Sequence, residues 1–177
     1  MEGLIKLLME SGILARTPRT GPYHVGITNQ ETIAAHAYRQ SILAYFMAIE
    51  EKADVSKVLK MSLVHDLPEA RTLNMTFVQK KYIQENPGKA LNDQLRGMEG
   101  SAELEVLFQE YVENRSLEAN VTNDANILEG LIEAKEFIQQ GIRIMDRWFI
   151  DKEKTIKTKS GKKILTELKK RQFYWWK

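Results

Sequence analysis

The stretch Met61-Ser62-Leu63-Val64-His65-Asp66-Leu67-Pro68-Glu69-Ala70 decides how the chain is read. Helix-compatible apolar residues run into an imidazole, two carboxylates and a proline, a combination that core packing does not ask for. On a helix, Ser62, His65, Asp66 and Glu69 fall at i, i+3, i+4 and i+7 and share one face. The other face, with Val58, Leu59 and Leu63, reads as the buried one. Charged groups turned toward a core are costly unless paired or bound to metal. The polar stripe is therefore expected on the floor of a cleft, where His65 and Asp66 reach a single divalent ion. A His-Asp dipeptide is common by chance, so support has to come from the rest of the chain.

Working outward, Asp54 is placed to cap this helix, and Pro68 to stop or redirect it near Leu67. Upstream, Thr28-Asn29-Gln30-Glu31 matches a capping box and predicts a helix through about Glu51. Ile33, Ala34, Ala37, Tyr38, Ala44, Tyr45, Ala48 and Ile49 would form its buried face. His36 falls on that face, where taken alone it reads as a hydrogen-bonded core residue. A first short helix around Leu4, Ile5, Leu7 and Leu8 ends at Ser11-Gly12, packed on the outside of the bundle. Between them, Leu14 to Pro22 holds two prolines, a glycine and the arginines Arg16 and Arg19. A proline-stiffened loop carrying arginines suits a phosphate, and an ordinary solvated basic loop fits equally well.

Downstream, Arg71 to Met75 reads as a connector, followed by helices over about Thr76 to Gln84 and Ala90 to Val112, the latter bent by Gly97 and Gly100. Ser116 opens a helix from about Leu117 to Gln140, with Asp124 and Asn126 set among apolar residues. Met145, Trp148 and Phe149 mark a short helix. Ile164, Leu165, Leu168, Phe173, Trp175 and Trp176 mark a last one, preceded by Thr158-Lys159-Ser160-Gly161. No stretch alternates with period two long enough for a strand. The fold class is all-α, and at 177 residues a single helical domain over 1–177 is the default.

The chain has no cysteine, so His, Asp, Glu and Asn are the available ligands and any metal is held through N and O. A net charge of +2, from 26 basic and 24 acidic residues, does not by itself imply a polyanion partner. No apolar run approaches the ~20 residues of a membrane span, and the N-terminus lacks a signal-peptide pattern, so a cytoplasmic protein without a membrane partner is expected. Lys152 to Lys177 is basic and ends in aromatics. A solvated helix face with its aromatics folded back is preferred there over nucleic-acid binding.

His36, His65-Asp66 and the Asp/Asn-bearing helix together resemble the H…HD…D pattern of the HD-domain phosphohydrolase superfamily. Arg16-Thr17-Pro18-Arg19-Thr20-Gly21, Glu31 to Arg39, His65 to Ala70 and Asn126-Ile127-Leu128-Glu129 are similar, in order, to the motifs of its 5'-deoxynucleotidase branch, of archaeal and bacterial type. The resemblance implies a helical bundle, usually dimeric, that hydrolyses deoxyribonucleoside 5'-monophosphates with a divalent metal, a first-row ion such as Mn, Co, Fe, Ni or Zn, or Mg. By position it implies His36, His65, Asp66 and Asn126 as metal ligands. Glu69 would orient or deprotonate the attacking water, with Asn74 beside it. Arg16 would hold the substrate phosphate, and Arg19 is a second candidate.

Two positions depart from the pattern: Asn74 and Asn126 stand where relatives carry Asp. An Asn oxygen still ligates, but brings no charge and takes no proton at neutral pH. Two imidazoles with two carboxylates neutralise a divalent ion, whereas one carboxylate leaves about one net positive charge. Weaker metal binding, a more acidic bound water and tighter phosphate binding are expected. Asp124 stands in for Asn126 only if the helix is distorted there, because residues two apart on a helix point about 200° apart. Slow hydrolysis, or a nucleotide-binding pseudoenzyme on the same fold, are the two readings left.

Overall fold

The computed structural model describes residues 1–170 together with 172, 174 and 176. The helices are α1 (Glu2–Ser11), α2 (Ile33–Glu51), α3 (Val55–Val64), α4 (Glu69–Thr72), α5 (Pro87–Leu95), α6 (Ser101–Glu113), α7 (Leu117–Gln139), α8 (Asp146–Lys152) and α9 (Lys159–Lys170). The sole extended pairing among the described residues is an isolated antiparallel bridge between Pro18 and Thr32. The fold is all-α.

α7 is the central element, packed against α2, α3, α6, α8 and α9. Its inner face buries Val121, Ala125, Leu128, Leu131 and Ala134 against Ala44, Met47 and Ala48 of α2 and Val58 of α3. Small residues at 44, 48, 125 and 134 let these helices approach closely. Ser116 caps α7 by accepting a hydrogen bond from the Ala119 N–H, and Asp54 caps α3 through Lys57 in the same way. α1 lies outside and contributes no buried residue.

Several elements differ from the sequence reading. The α2 cap is Thr32, whose hydroxyl accepts from the Ala35 N–H, and not Thr28. Glu31 is held out of the helix because its carbonyl accepts from the Arg19 N–H while the Ile33 N–H donates to Thr17. The buried face of α2 is Ile33, His36, Gln40, Ala44, Met47 and Ala48, with Tyr38 and Ile49 turned to solvent. Leu59 and Leu63 on α3 are likewise exposed, while Ser62 and His65 are buried beside Val58 and Met61. The polar stripe is thus part of the inner face. Within it the Ser62 hydroxyl accepts from Gln40.

In place of the expected helix from Thr76 to Gln84 there is one 3-10 turn, Gln79–Lys81. Phe77, Tyr82 and Ile83 are exposed there, so no packed face supports a longer helix. The stretch from Ala90 to Val112 is two helices rather than one bent helix, because Gly97 and Gly100 both adopt left-handed conformations, φ +76° and +83°. α9 buries Leu165 and Leu168 and directs lysines outward, Lys163 toward Glu50 and Lys169 toward Glu153. The expected packing of Phe173 and Trp175 falls outside the described residues.

Candidate metal centre

Three helices deliver the centre. α2 supplies His36, the end of α3 supplies His65 and then Asp66, and α7 supplies Asn126. One ligand atom from each of His36, His65 and Asp66 lies within 4.8 Å of the others. His65 Nε2 stands 3.1 Å and His36 Nε2 3.6 Å from Asp66 Oδ2, and Asn126 Oδ1 is 3.0 Å from His36 Nε2.

Each imidazole is oriented from behind. His65 Nδ1 donates to the Ser62 carbonyl at 2.8 Å. His36 Nδ1 makes a short hydrogen bond to Glu129 Oε2. Partners of this kind fix the tautomer and leave Nε2 as a lone pair. Asn126 Nδ2 donates to the Tyr111 hydroxyl at 3.0 Å, which turns its oxygen toward the same point. With both rings in that tautomer four acceptors converge, and the buried His65 Nε2 has no hydrogen-bond partner although Asp66 is close. Acceptors facing acceptors repel unless a cation lies between them, so these residues fit a divalent metal held through N and O.

The electrostatics agree. Burial presses the His36 pKa down, which keeps a neutral ring, the form that ligates. Burial acts the same way on His65, but the Asp66 carboxylate 3.1 Å away outweighs it and the pKa is raised. Against the pull of burial, both imidazoles hold the Asp66 carboxyl well below the usual carboxylate range.

Glu69 opens α4 beside the centre. Burial, reinforced by the negative charge of Asp66, pushes its carboxyl up to about 7. Asn74 Nδ2 donates to both Glu69 oxygens, at 3.0 and 2.8 Å. Its Oδ1 accepts from the Thr20 N–H at 2.8 Å and from the Thr20 hydroxyl at 3.0 Å, and the same hydroxyl donates to the Asn74 carbonyl at 2.8 Å. Asn74 thereby clamps the arginine loop to Glu69. The preceding Leu73 has φ +68° and ψ 160°, a region that side chains other than glycine rarely occupy.

The two loop arginines differ. Arg19 lies against Gly130 of α7, and its charge acts on His36, His65, Asp66 and Glu69. Arg16 is exposed, with its guanidinium beside Gly12. Asp124 points elsewhere: its carboxylate accepts from the Lys157 and Thr158 N–H groups and from the Thr158 hydroxyl.

A family model described as HD domain matches residues 11–169. This chain belongs to the HD-domain family. The 5'-deoxynucleotidase HDDC2 of Mus musculus is 27% identical over 141 residues, covering 76% of this chain and 70% of that protein. The 5'-deoxynucleotidase hdd1 of Schizosaccharomyces pombe is 28% identical over 133 residues, covering 70% and 67%. Among solved structures, a conserved hypothetical protein from Pyrococcus furiosus aligns with a TM-score of 0.81 at 28% identity, covering 94% of this chain and 99% of that one. The predicted coding region AF1432 from Archaeoglobus fulgidus aligns at 0.65 and 25% identity, with 99% of each covered.

The HD-domain pattern names ligands but not their supports, and the sequence reading missed those. Glu129 lies three residues after Asn126, on the same face of α7, a spacing that was available. Arg39 Nε meets Glu129 Oε1 at 3.1 Å, and Glu31 and Glu133 join the same buried group. Burial raises the pKa of all three glutamates, partly offset by the nearby arginines or by His36. Tyr111 had no local signal of its role at all.

Proposed function

We propose that the protein is a metal-dependent phosphohydrolase that releases inorganic phosphate from (deoxy)nucleoside 5'-monophosphates. The observation that carries the reading is the convergence of His36, His65 and Asp66 on one point, with Asn126 Oδ1 against His36 and His65 Nε2 buried and unpartnered. Names of the curated relatives support the substrate class. A divalent first-row ion bound by these four residues would supply Lewis acidity toward a phosphoryl oxygen and lower the pKa of a water.

The protein's own residues do the rest. Arg19 faces the anionic phosphate, with Arg16 further out on the same loop. Glu69, held by Asn74, takes a proton as water oxygen bonds to phosphorus. The ester bond to the 5' oxygen breaks, and that oxygen leaves as the nucleoside hydroxyl after accepting a proton. Asn126 in place of a carboxylate weakens the hold on metal, and Asn74 leaves Glu69 as the sole carboxylate at the rim. Turnover is therefore slow. On α2, Tyr38, Ile42, Tyr45, Phe46 and Ile49 form an exposed apolar stripe, which supports assembly as a homodimer.

The test is phosphate release from a panel of deoxy- and ribonucleoside 5'-monophosphates, with the protein loaded in turn with Mn, Co, Fe, Ni, Zn and Mg. Release with at least one ion supports the reading, and none with any ion overturns it. The two Asn departures favour a second reading, a nucleotide-binding pseudoenzyme. It predicts tight nucleotide binding with no turnover, and activity restored by Asn126→Asp combined with Asn74→Asp.

A further inference from the structure

Beyond the clamp, the two loops at the rim run on together. Thr20 and Asn74 join them by three hydrogen bonds of 2.8–3.0 Å, and Asn74 is bonded in turn to Glu69. Four residues after Thr20 comes His24, in the 3-10 turn Gly21–Val25, and three residues after Asn74 comes Phe77. Their rings meet with centroids 4.7 Å apart at an interplanar angle of 42°. Neither ring belongs to a hydrophobic cluster of the core, and Phe77 is 68% exposed.

The turn that presents His24 is stiff. Pro22 is buried, and Gly26 closes the turn at φ +78°. Gly21 lies so close to Trp148 that an added Cβ would come within 2.8 Å of its ring. The rings thus stand exposed on the two loops that Thr20 and Asn74 tie to Glu69, and they offer a face to a planar aromatic group carried on a sugar phosphate.

We propose that His24 and Phe77 form the platform on which the nucleobase of a nucleoside 5'-monophosphate stacks. The inference rests on the phosphohydrolase reading and extends it to the base. Thr76 and Gln79, the nearest polar side chains on the Phe77 loop, are bonded to each other's backbone N–H. Recognition is then by ring face, which every base offers, and the platform tolerates purines and pyrimidines alike.

Binding to the metal-loaded full chain tests this without depending on turnover. Titration calorimetry compares 2'-deoxyadenosine 5'-monophosphate with 2-deoxyribose 5-phosphate, which lacks the base. The unmodified protein binds the nucleotide on the order of tenfold tighter or more. Phe77→Ala brings that ratio near one while leaving the affinity for 2-deoxyribose 5-phosphate unchanged, and His24→Ala lowers it part of the way. Both side chains are exposed, so the fold tolerates the changes. Equal affinities in the unmodified protein, or a ratio that Phe77→Ala leaves intact, overturn the platform. Base-dependent binding without phosphate release keeps the platform and removes the hydrolytic reading instead.

Discussion

His65 reaches the centre from the end of α3 with its ring buried and its Nδ1 proton given to a carbonyl one turn back. Asn74 reaches the rim from a strained loop and bonds to a residue 54 positions away. The centre is thus fixed by helix periodicity and burial, the rim by side-chain clamps between loops. A helix-borne ligand has few alternative positions, so its loss is not repaired by neighbours. A clamped loop keeps its place through bonds that single substitutions loosen by degrees.

The contrast is broken or sharpened in order of effect. His65→Ala removes a ligand that nothing else replaces: metal retained after dialysis falls to background and phosphate release falls on the order of a thousandfold, the several kcal/mol a bound ion contributes. Retained metal in that variant, measured by elemental analysis, would place the centre elsewhere. Glu129→Gln leaves every ligand but weakens the orientation of His36. Metal affinity, measured against a competing chelator, drops about 10- to 100-fold. An unchanged affinity would make Glu129 a packing residue only.

At the rim the effects are smaller. Arg19→Ala raises the KM for nucleotide about tenfold, from the loss of charge-assisted hydrogen bonds, and Arg16→Ala changes it by less. The reverse order would mean that the exposed arginine swings in when substrate binds. Smallest is Leu73→Gly. Relief of backbone strain of about 1–3 kcal/mol, less the entropic cost of glycine of about 0.5–1 kcal/mol, gives a protein more stable by about 1 kcal/mol. A lower denaturation midpoint would show that the Leu73 side chain contributes more than its backbone costs.

The same division explains what was legible in the sequence. His36, His65, Asp66 and Asn126 are reached through the resemblance to the HD-domain pattern; periodicity alone makes His36 a core residue and turns the His65 stripe away from the buried face. On α3 apolarity alone points to the wrong inner face. Here the buried positions include Ser62 and His65, satisfied by Gln40 and by a carbonyl, while Leu59 and Leu63 face out. The start of α2 slipped because Thr28 and Thr32 are both competent caps, and the Pro18–Thr32 bridge, a non-local contact, selects between them. The difference between Arg16 and Arg19 lies in loop geometry, which carries no periodic signal. That Asn74 serves Thr20 and Glu69 at once was beyond reach for the same reason.

Asp124 carries a last consequence. Its buried carboxylate is satisfied, among the described residues, by Lys157 and Thr158, and it lies two residues before Asn126 on α7. On a ribosome, α7 emerges well before these partners; until they arrive the Asp124 carboxylate is held by water, and burying it without them is costly, so the helix that carries Asn126 settles late. On the proposed reading, retention of an ion then waits for synthesis to pass Thr158. Ribosome-stalled chains ending short of Lys157 should fail to protect a bound ion from chelator, whereas chains with α9 clear of the exit tunnel should succeed.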